Sequence, residues 1–206
     1  MSEFWDEKYD IEEYRYGRQP NRFVADRARD LFAAEGRILD LGSGEGRNAV
    51  WLAEQGYKVT AVEQSRIGID KTLRLAGERG VQVNVIHAKL EDFEPQAAGY
   101  DGVILNYLHL PPEVREVAHA KAVEALAPGG VVLLEGFRPA QLDRDSGGPP
   151  NEAMMFTEEM LREDFADLEV ESIEEDTIEL DEGHGHRGLG DVIRMVARKP
   201  ASDRPA

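Results

Sequence analysis

A short run of glycines and acidic residues contains the side chains best suited to bind a small ligand. Residues 40–48 read DLGSGEGRN, and a further carboxylate, Glu63, follows in AVEQS. Glycine is needed where the backbone takes a positive φ or where a ligand approaches without a Cβ in its way. Several kinds of nucleotide-binding loop share this pattern, so the glycines alone leave the ligand open.

The acidic residues in and beside this loop discriminate between two classes of ligand. A dinucleotide places its pyrophosphate at the helix N-terminus, where Asp40 and Glu45 would repel it. The loop also lacks the wider gap that dinucleotide loops have before their last glycine. S-adenosylmethionine (SAM) instead carries an ammonium and a sulfonium, and its ribose hydroxyls suit a carboxylate such as Glu63. The pattern therefore favours SAM over a nicotinamide dinucleotide.

Alternating strand-like and helix-like segments between residues 37 and 137 predict an α/β domain with a parallel sheet. Helix signals separate the apolar runs, with Gly56 ending the first helix, Pro112 beginning the last and Pro128-Gly129-Gly130 ending it. Residues 138–151 read as a loop, and Thr157 as the cap of a short helix. We predict strands at 38–41, 58–62, 81–86, 100–105 and 131–134, then an antiparallel hairpin of 168–180 and 191–199 around GHGHRGLG.

Composition excludes several classes of function. The chain has 206 residues, a formal net charge of −17 and no cysteine. The charge disfavours nucleic acids and anionic membranes as partners, and the lack of cysteine excludes thiolate-ligated clusters and disulfides. With no apolar run of bilayer length and no basic, apolar signal at the N-terminus, we expect a cytoplasmic protein, monomeric or homodimeric. We predict a single domain over residues 1–206, with a core at 37–199.

Five sequence features together resemble the class I SAM-dependent methyltransferases over residues 37–199. They are the strand–DLGSGEGRN–helix unit, the acidic end of AVEQ, the strand ending in LNYLHL, the helix ending in APGG, and the C-terminal hairpin. The run GEGRNAVWLAEQGY is similar to the tellurite-resistance and thiopurine methyltransferase-like branch, which acts on small molecules and soft nucleophiles. The resemblance implies a Rossmann-like, seven-stranded, mostly parallel sheet in the order 3-2-1-4-5-7-6, with strand 7 antiparallel and helices on both faces.

The same resemblance implies where SAM would lie. Asp40 and the loop glycines would hold its methionine part, Glu63 its ribose, and Gln64 and Leu90 its adenine. The full set of expected cofactor-binding residues is Asp40, Gly42, Ser43, Gly44, Gly46, Asn48, Glu63, Gln64, Leu90, Asn106 and Tyr16. Two positions depart from the family pattern: Ser43 replaces a frequent cysteine, and Lys89 stands where an acidic residue often meets the adenine. The segment NYLHLPP also differs from the Asn/Asp-Pro-Pro-aromatic signature of enzymes that methylate amino groups of nucleobases or glutamine.

The expected reaction is methyl transfer from SAM to a small molecule, which leaves S-adenosylhomocysteine. A soft nucleophile, a thiol or a chalcogen oxyanion, is the acceptor that the resemblance favours, and in its anionic form, such as a thiolate, it needs no base. The alternatives are methylation of oxygen or nitrogen with His109 as the base, or a SAM-binding sensor without catalysis. His109 and its neighbour Tyr107 are the candidate catalytic residues. For His109 a locally hydrogen-bonded loop histidine is an equal interpretation. For Tyr107 packing under the following helix is the favoured interpretation.

Two further regions could line the acceptor pocket. Residues 1–30 carry several aromatic residues and are predicted to form a helical lid, in which Tyr14 would face the substrate and Tyr16 the cofactor. His184 and His186 lie in the hairpin turn, where a solvated turn is the favoured interpretation and His186 is retained as a candidate pocket wall. We predict no metal site. The acidic run 171–176 reads as a solvated strand face.

Overall fold

The seven strands form one sheet whose order confirms the predicted topology. The computed structural model describes residues 2–201, so residue 1 and residues 202–206 of the predicted domain lie outside the described residues. The strands are β1 (Arg37–Leu41), β2 (Lys58–Glu63), β3 (Asn84–His87), β4 (Tyr100–Asn106), β5 (Leu126–Phe137), β6 (Glu169–Glu182) and β7 (His186–Arg198). Their order is β3-β2-β1-β4-β5-β7-β6, and β7 runs antiparallel to both of its neighbours.

Helices cover both faces of this sheet. They are α1 (Ser2–Tyr9), α2 (Arg22–Leu31), α3 (Arg47–Glu54), α4 (Arg66–Arg79), α5 (Pro112–Ala125) and α6 (Glu158–Asp164). Successive strand residues point to opposite faces, so Ile38 packs with α2, α3 and α4 while Leu39 packs with α5 and α6. The central strands are apolar on both faces because both faces are buried. No helix among residues 2–201 has the length and apolar character that a bilayer crossing requires.

The boundaries of several predicted elements differ from the structure, among them the fifth strand, which was predicted at residues 131–134 and spans Leu126–Phe137. The third strand begins at Asn84 rather than at residue 81, and α5 ends at Ala125, before the Pro-Gly-Gly that was predicted to end it. The hairpin is also tighter than predicted, because β6 and β7 remain paired as far as Glu182 opposite His186. The turn is therefore only residues 183–185, and His186 belongs to a strand.

Gly46 is needed for packing between helices rather than for ligand approach. Its φ is +84°, and an ideal Cβ would lie 2.5 Å from the Thr72 side chain on α4. The cavity described below is not lined by Gly46, although the sequence analysis expected this residue among those that bind the cofactor. A side chain is excluded at this position because φ is positive and because α4 lies too close for a Cβ.

We expect Gly46→Ala to lower the free energy of unfolding by about 2–4 kcal/mol, because the left-handed backbone is strained and the methyl group overlaps Thr72. Gly56 is a matched control, since its φ is +93° but nothing lies within 4 Å of an added Cβ. Gly56→Ala should cost only about 1–2 kcal/mol. Urea unfolding of both variants measures the difference, and equal losses would show that the contact with Thr72 is unimportant.

Candidate cofactor and acceptor site

A cavity of about 570 Å³ opens at the carboxyl ends of β1, β2, β4 and β5. The strand order reverses between β1 and β4, and open α/β sheets bind ligands at such a switch point. The volume lies in the range usual for small-molecule sites. Of the expected cofactor-binding residues, the lining includes Asp40, Gly42, Ser43, Gly44, Asn48, Glu63, Gln64, Leu90, Asn106 and Tyr16.

Two buried carboxylates stand at the cofactor end of this cavity. Asp40 at the end of β1 is 2% exposed, and its Oδ2 has no hydrogen-bond partner among the described residues. Burial, together with repulsion from Glu63, raises the pKa of Asp40 to about 7 although Arg47 opposes the shift. Burial also raises the pKa of Glu63, whose oxygens accept hydrogen bonds from the backbone N–H groups of Gly44 and Ser65. These two groups would favour a cationic ligand.

Glu45 does not contribute its charge to the ligand, contrary to the electrostatic interpretation of the sequence. Its Oε1 lies 2.7 Å from Nζ of Lys71 on α4, and its Oε2 accepts a hydrogen bond from the backbone N–H of Arg15 at 2.7 Å. The carboxylate is thus neutralised by a buried ion pair. Its role is to attach the N-terminal segment to the glycine loop, and the negative potential of the site comes from Asp40 and Glu63.

The first two loop glycines allow neighbouring side chains to lie against the loop. Gly42 has a φ of +67°, and an ideal Cβ there would lie 2.5 Å from Leu108. Gly44 has a φ of +59°, and its Cβ would lie 2.9 Å from the hydroxyl oxygen of Tyr9 in α1. Both residues line the cavity, so these close approaches determine the shape of its floor.

A buried network centred on Arg47 joins four separate elements, and the sequence pattern did not predict it. The guanidinium donates to the Tyr16 carbonyl at 3.2 Å, to Oδ1 of Asn106 at 3.2 Å and to Oε2 of Glu182 at 3.1 Å. Asn48 donates from Nδ2 to the same Asn106 oxygen and thereby links α3 to β4. The sequence signal was the arginine immediately after the last loop glycine, but its partners are distant in the chain.

The N-terminal segment covers the cavity. Trp5 and Tyr9 line it, with their rings stacked at a centroid distance of 5.3 Å. Asp6 attaches α1 to the start of α4 by accepting hydrogen bonds from Oγ of Ser65 and from the N–H of Ile67. The segment is thus attached beside the cavity, and its function as a lid stays a prediction.

Tyr14 does not line the cavity, although the sequence analysis expected it to face the substrate. It is 8% exposed, packs in the core beside α4, and donates its hydroxyl to the Lys71 carbonyl at 3.0 Å. Tyr16, two residues later, does line the cavity, and its ring lies 4.5 Å from that of His186. The chain changes direction between the two tyrosines, and periodicity could not predict that.

His109 lines the cavity, but both of its ring nitrogens are occupied. Nδ1 donates to the Met154 carbonyl at 2.8 Å, and Nε2 accepts from the backbone N–H of Phe137 at 3.0 Å. Burial lowers the pKa of His109 to about 4, although the bond to Met154 opposes this shift. Protonation of Nε2 would break the bond from Phe137. The geometry therefore favours the locally bonded histidine and argues against His109 as a base.

Tyr107 has a strained backbone and an unpaired hydroxyl. Its φ is +51°, which is uncommon for a residue with a side chain. The hydroxyl group is buried without a hydrogen-bond partner among the described residues, and burial raises the pKa of this phenol well above its usual range. Its ring packs against Phe137 and His186 with centroids 4.8 and 4.4 Å away. Strain of this kind is typical of functional sites.

His186 is buried, so the interpretation of a solvated turn is wrong for this residue. It is 4% exposed and lines the cavity, and its Nδ1 lies 3.1 Å from Oε2 of Glu182. His184, in contrast, is exposed at the tip of the hairpin. The tight turn between the two histidines separates them, so they do not share the same face as an extended strand would require. No group of three potential metal-ligating residues occurs among residues 2–201.

The far end of the cavity lies beside β2 and β3 and contains Gln64, Ala88, Leu90 and Glu91. Lys89, at the position where the family often has an acidic residue, is exposed and is not part of this lining. Glu91 is therefore the acidic residue at this end of the cavity, and the sequence analysis did not identify it.

The pattern of unpaired polar atoms fits SAM. Among the described residues, seven buried side-chain atoms lack a partner, and five of them belong to residues that line the cavity: Arg15 Nε, Asp40 Oδ2, Ser43 Oγ, Asn106 Nδ2 and Tyr107 Oη. Buried polar groups are normally paired, so this concentration indicates a polar ligand. Asp40, at the end of β1, suits the ammonium of SAM, and Glu63, at the end of β2, suits the ribose hydroxyls.

Comparison with known proteins supports the same assignment. Residues 38–130 match the family model described as a methyltransferase domain. The 2-heptyl-1-hydroxyquinolin-4(1H)-one methyltransferase of Mycobacteroides abscessus is 31% identical over 121 residues, which are 55% of this chain and 52% of that protein. The chain thus spans about half the length of this curated relative.

Two solved structures share the fold over nearly the whole chain. One comes from a study of the conversion of a disulfide bond into a thioacetal group during echinomycin biosynthesis, with a TM-score of 0.77, 20% identity, and coverage of 97% of this chain and 92% of that chain. The other is TehB from Haemophilus influenzae, with a TM-score of 0.71, 22% identity, and coverage of 96% and 66%. At these identities the likeness concerns the fold alone. Residues 38–130 are thus similar to a methyltransferase domain, a family whose members use SAM as the methyl donor, and the sheet has the strand order that this resemblance implies.

Proposed function

We propose that the protein transfers a methyl group from SAM to a small, largely neutral acceptor. The observation that carries this proposal is that one cavity has two chemically different parts, which could hold the cofactor and the acceptor side by side. Buried carboxylates and unpaired polar atoms lie beside β1 and β2, and aromatic walls lie beside β4, β5 and β7. We call the second part the acceptor end, and it consists of Tyr107, His109, Phe137, residues 147–150, Met154 and His186.

SAM would occupy the first part. Asp40 would meet the ammonium, Glu63 the ribose hydroxyls, and Leu90 with Gln64 would lie beside the adenine. When bound there, SAM supplies an activated methyl group. The chain's own contribution is to hold both reactants in contact and to exclude water, which in favourable cases lowers a barrier by about 7–11 kcal/mol. The lid formed by α1 serves the second purpose.

A thiol is the acceptor that we propose first. The resemblance to enzymes of soft nucleophiles supports it, and so does the acceptor end, whose walls are aromatic, aliphatic or neutral. A fully charged chalcogen oxyanion fits these walls less well, because a buried charge needs a paired cation. An ionisable hydroxyl is the second candidate, and the curated relative's name, with its hydroxyquinolinone, supports it.

SAM binding can be followed through the lid, since the chain has two tryptophans, Trp5 and Trp51. We expect SAM to change the fluorescence of wild-type protein and of Trp51→Phe, whereas Trp5→Phe should bind SAM without that signal. Calorimetry provides the affinity of each protein, and NAD is the comparison ligand. NAD binding in the absence of SAM binding would contradict the proposal.

Turnover is then tested with thiols, phenols, amines, halides, selenite and tellurite, by following S-adenosylhomocysteine. We expect product with thiols first and with phenols second. SAM binding without turnover on any acceptor would instead support the sensor interpretation.

A further inference from the structure

We infer that His186 is the general base of this enzyme and that Glu182 is the residue that positions it. This inference rests on the proposed function, because it requires an acceptor that carries an S–H or O–H group. His186 thus takes the role of general base for which the sequence suggested His109. The observation behind it is a histidine in the acceptor end with one ring nitrogen bound to a buried carboxylate and the other available.

The hydrogen bonding defines which nitrogen of His186 is available. Glu182 is held ionised by Arg47 and by His186 itself: burial raises its pKa, but these two partners outweigh burial and lower the pKa to about 2. A carboxylate only accepts hydrogen bonds, so Nδ1 of His186 carries the proton. No described residue hydrogen-bonds Nε2. The lone pair of Nε2 is therefore available at the wall of the cavity.

The position of the ring is fixed on all sides. Tyr16, Tyr107 and Phe137 surround it, with ring centroids 4.5, 4.4 and 5.1 Å away. The loop after β5 closes over its edge, because an ideal Cβ on Gly147 would lie 2.7 Å from Cδ2 of His186. This loop is attached to β7 by Gln141, whose amide bonds the Gly147 carbonyl and the Asp191 N–H. A base held this firmly has little freedom to lose on reaction.

The groups that face His186 keep it neutral near pH 7. Burial lowers its pKa, and the charge of Arg47 on α3 acts in the same direction. The carboxylates of Glu182 on β6 and Glu135 on β5 oppose that shift. Tyr107 and Tyr16 face it as neutral phenols, since the pKa of each is raised by burial. A neutral imidazole with an available nitrogen is the form that accepts a proton.

The proton of the acceptor S–H or O–H moves to Nε2, and the electron pair of that bond stays on the acceptor atom as the nucleophile. His186 becomes an imidazolium whose charge is paired with Glu182. After the product leaves, the imidazolium releases its proton to water and the neutral ring is restored.

The first test requires no acceptor. In wild-type protein labelled with ¹⁵N-histidine, we expect the His186 ring at pH 7.5 to be neutral with its proton on Nδ1. In Glu182→Gln this tautomer preference should weaken and the pKa of His186 should fall. A proton on Nε2 in the wild-type protein would overturn the inference, whatever the outcome of the activity assays.

The second test compares acceptors that differ in acidity: 2-mercaptoethanol with benzenethiol, and phenol with 4-nitrophenol. With the weakly acidic member of each pair, we expect His186→Gln to reduce kcat/KM by roughly 10²–10⁴-fold, the usual contribution of a general base. With the member that is already ionised, the loss should be less than about tenfold. Glu182→Gln should reproduce this split to a smaller extent and shift the pH profile of kcat/KM.

Three controls separate the inference from other causes. His184→Gln, at the exposed tip of the same hairpin, should leave kcat/KM unchanged, and His109→Gln should lower it equally for both members of each pair. SAM affinity by calorimetry should stay within about threefold of wild type in His186→Gln, which shows that the cofactor site is intact. An equal loss with both members of a pair would overturn the role as a base. No turnover by the wild-type protein would instead count against the proposed function.

Discussion

Asp40→Asn should make the free protein more stable at pH 8 while weakening its binding of SAM at least 30-fold or so. The pKa of Asp40 is raised to about 7 in the folded protein, against 3.8 for an ordinary aspartate. The folded state therefore holds a proton that the unfolded state loses between pH 4 and 7, and stability falls as pH rises through that range. Asparagine removes this cost, so we expect a gain of about 1–3 kcal/mol at pH 8 that shrinks as pH falls below 7 and disappears only near pH 4.

The loss of affinity follows from the same carboxylate. Truncating one member of a desolvated charge pair costs about 2–5 kcal/mol of binding free energy. Because a proton competes with the ligand cation for Asp40, the affinity of the wild-type protein should also fall as pH drops from 7.5 to 6. Calorimetry at several pH values and thermal unfolding measure the two effects.

Asp101 provides the matched control for this experiment. It lies at the opposite, amino end of the parallel strands, where Oδ2 accepts a hydrogen bond from the N–H of Arg37. Asp101→Asn should leave SAM affinity unchanged at every pH. If Asp40→Asn bound SAM as tightly as the wild type, our placement of the ligand ammonium would be wrong.

Arg47→Met should lower the free energy of unfolding by about 3–5 kcal/mol at pH 7. Methionine fills a similar volume but leaves the carboxylate of Glu182 buried without its cationic partner, and it also removes donors to Tyr16 and Asn106. The double variant with Glu182→Gln should recover part of this loss, because the uncompensated charge is then gone. Urea unfolding of the three variants provides the coupling free energy.

The pH dependence of the free energy of unfolding separates the contribution of the Glu182 charge from a loss of packing. The folded-state pKa of Glu182 is about 2, below its usual 4.5, so its stabilisation is complete above pH 4.5 and is lost as pH falls towards 2. The difference between Arg47→Met and wild type should therefore shrink below pH 4.5. Arg22→Met, which breaks an exposed pair with Asp26, should change stability by less than about 0.5 kcal/mol. A constant difference across pH would mean that the loss comes from packing alone.

The sequence predicted the architecture well because its signals are local. Short apolar runs separated by Gly56, Pro112 and the glycine loop define strands and helices, and the resemblance supplied the strand order. The errors fall at the boundaries, as with β3 and the hairpin. There, pairing with a neighbouring strand decides how far an extended segment continues, and a single chain segment carries little information about its neighbour.

The convergence of Asp40, Gly42, Gly44 and Glu63 at one end of the cavity was also predictable, since they belong to elements whose carboxyl ends must converge in a parallel sheet. The acceptor end was not. It is assembled from the N-terminal segment, the loop after β5 and the last hairpin, which are far apart in the chain and have no shared periodicity.

The amino-acid sequence by itself thus determined the fold, the edge of the sheet at which the cavity lies and two of the carboxylates that line it, Asp40 and Glu63. Only the tertiary structure decided which ionisable groups are free to act. Glu45 is neutralised by Lys71, and His109 is bonded at both nitrogens, whereas His186 keeps one nitrogen available. The physical reason is that the reactivity of a side chain depends on its hydrogen-bond partners and its burial, and long-range contacts set both.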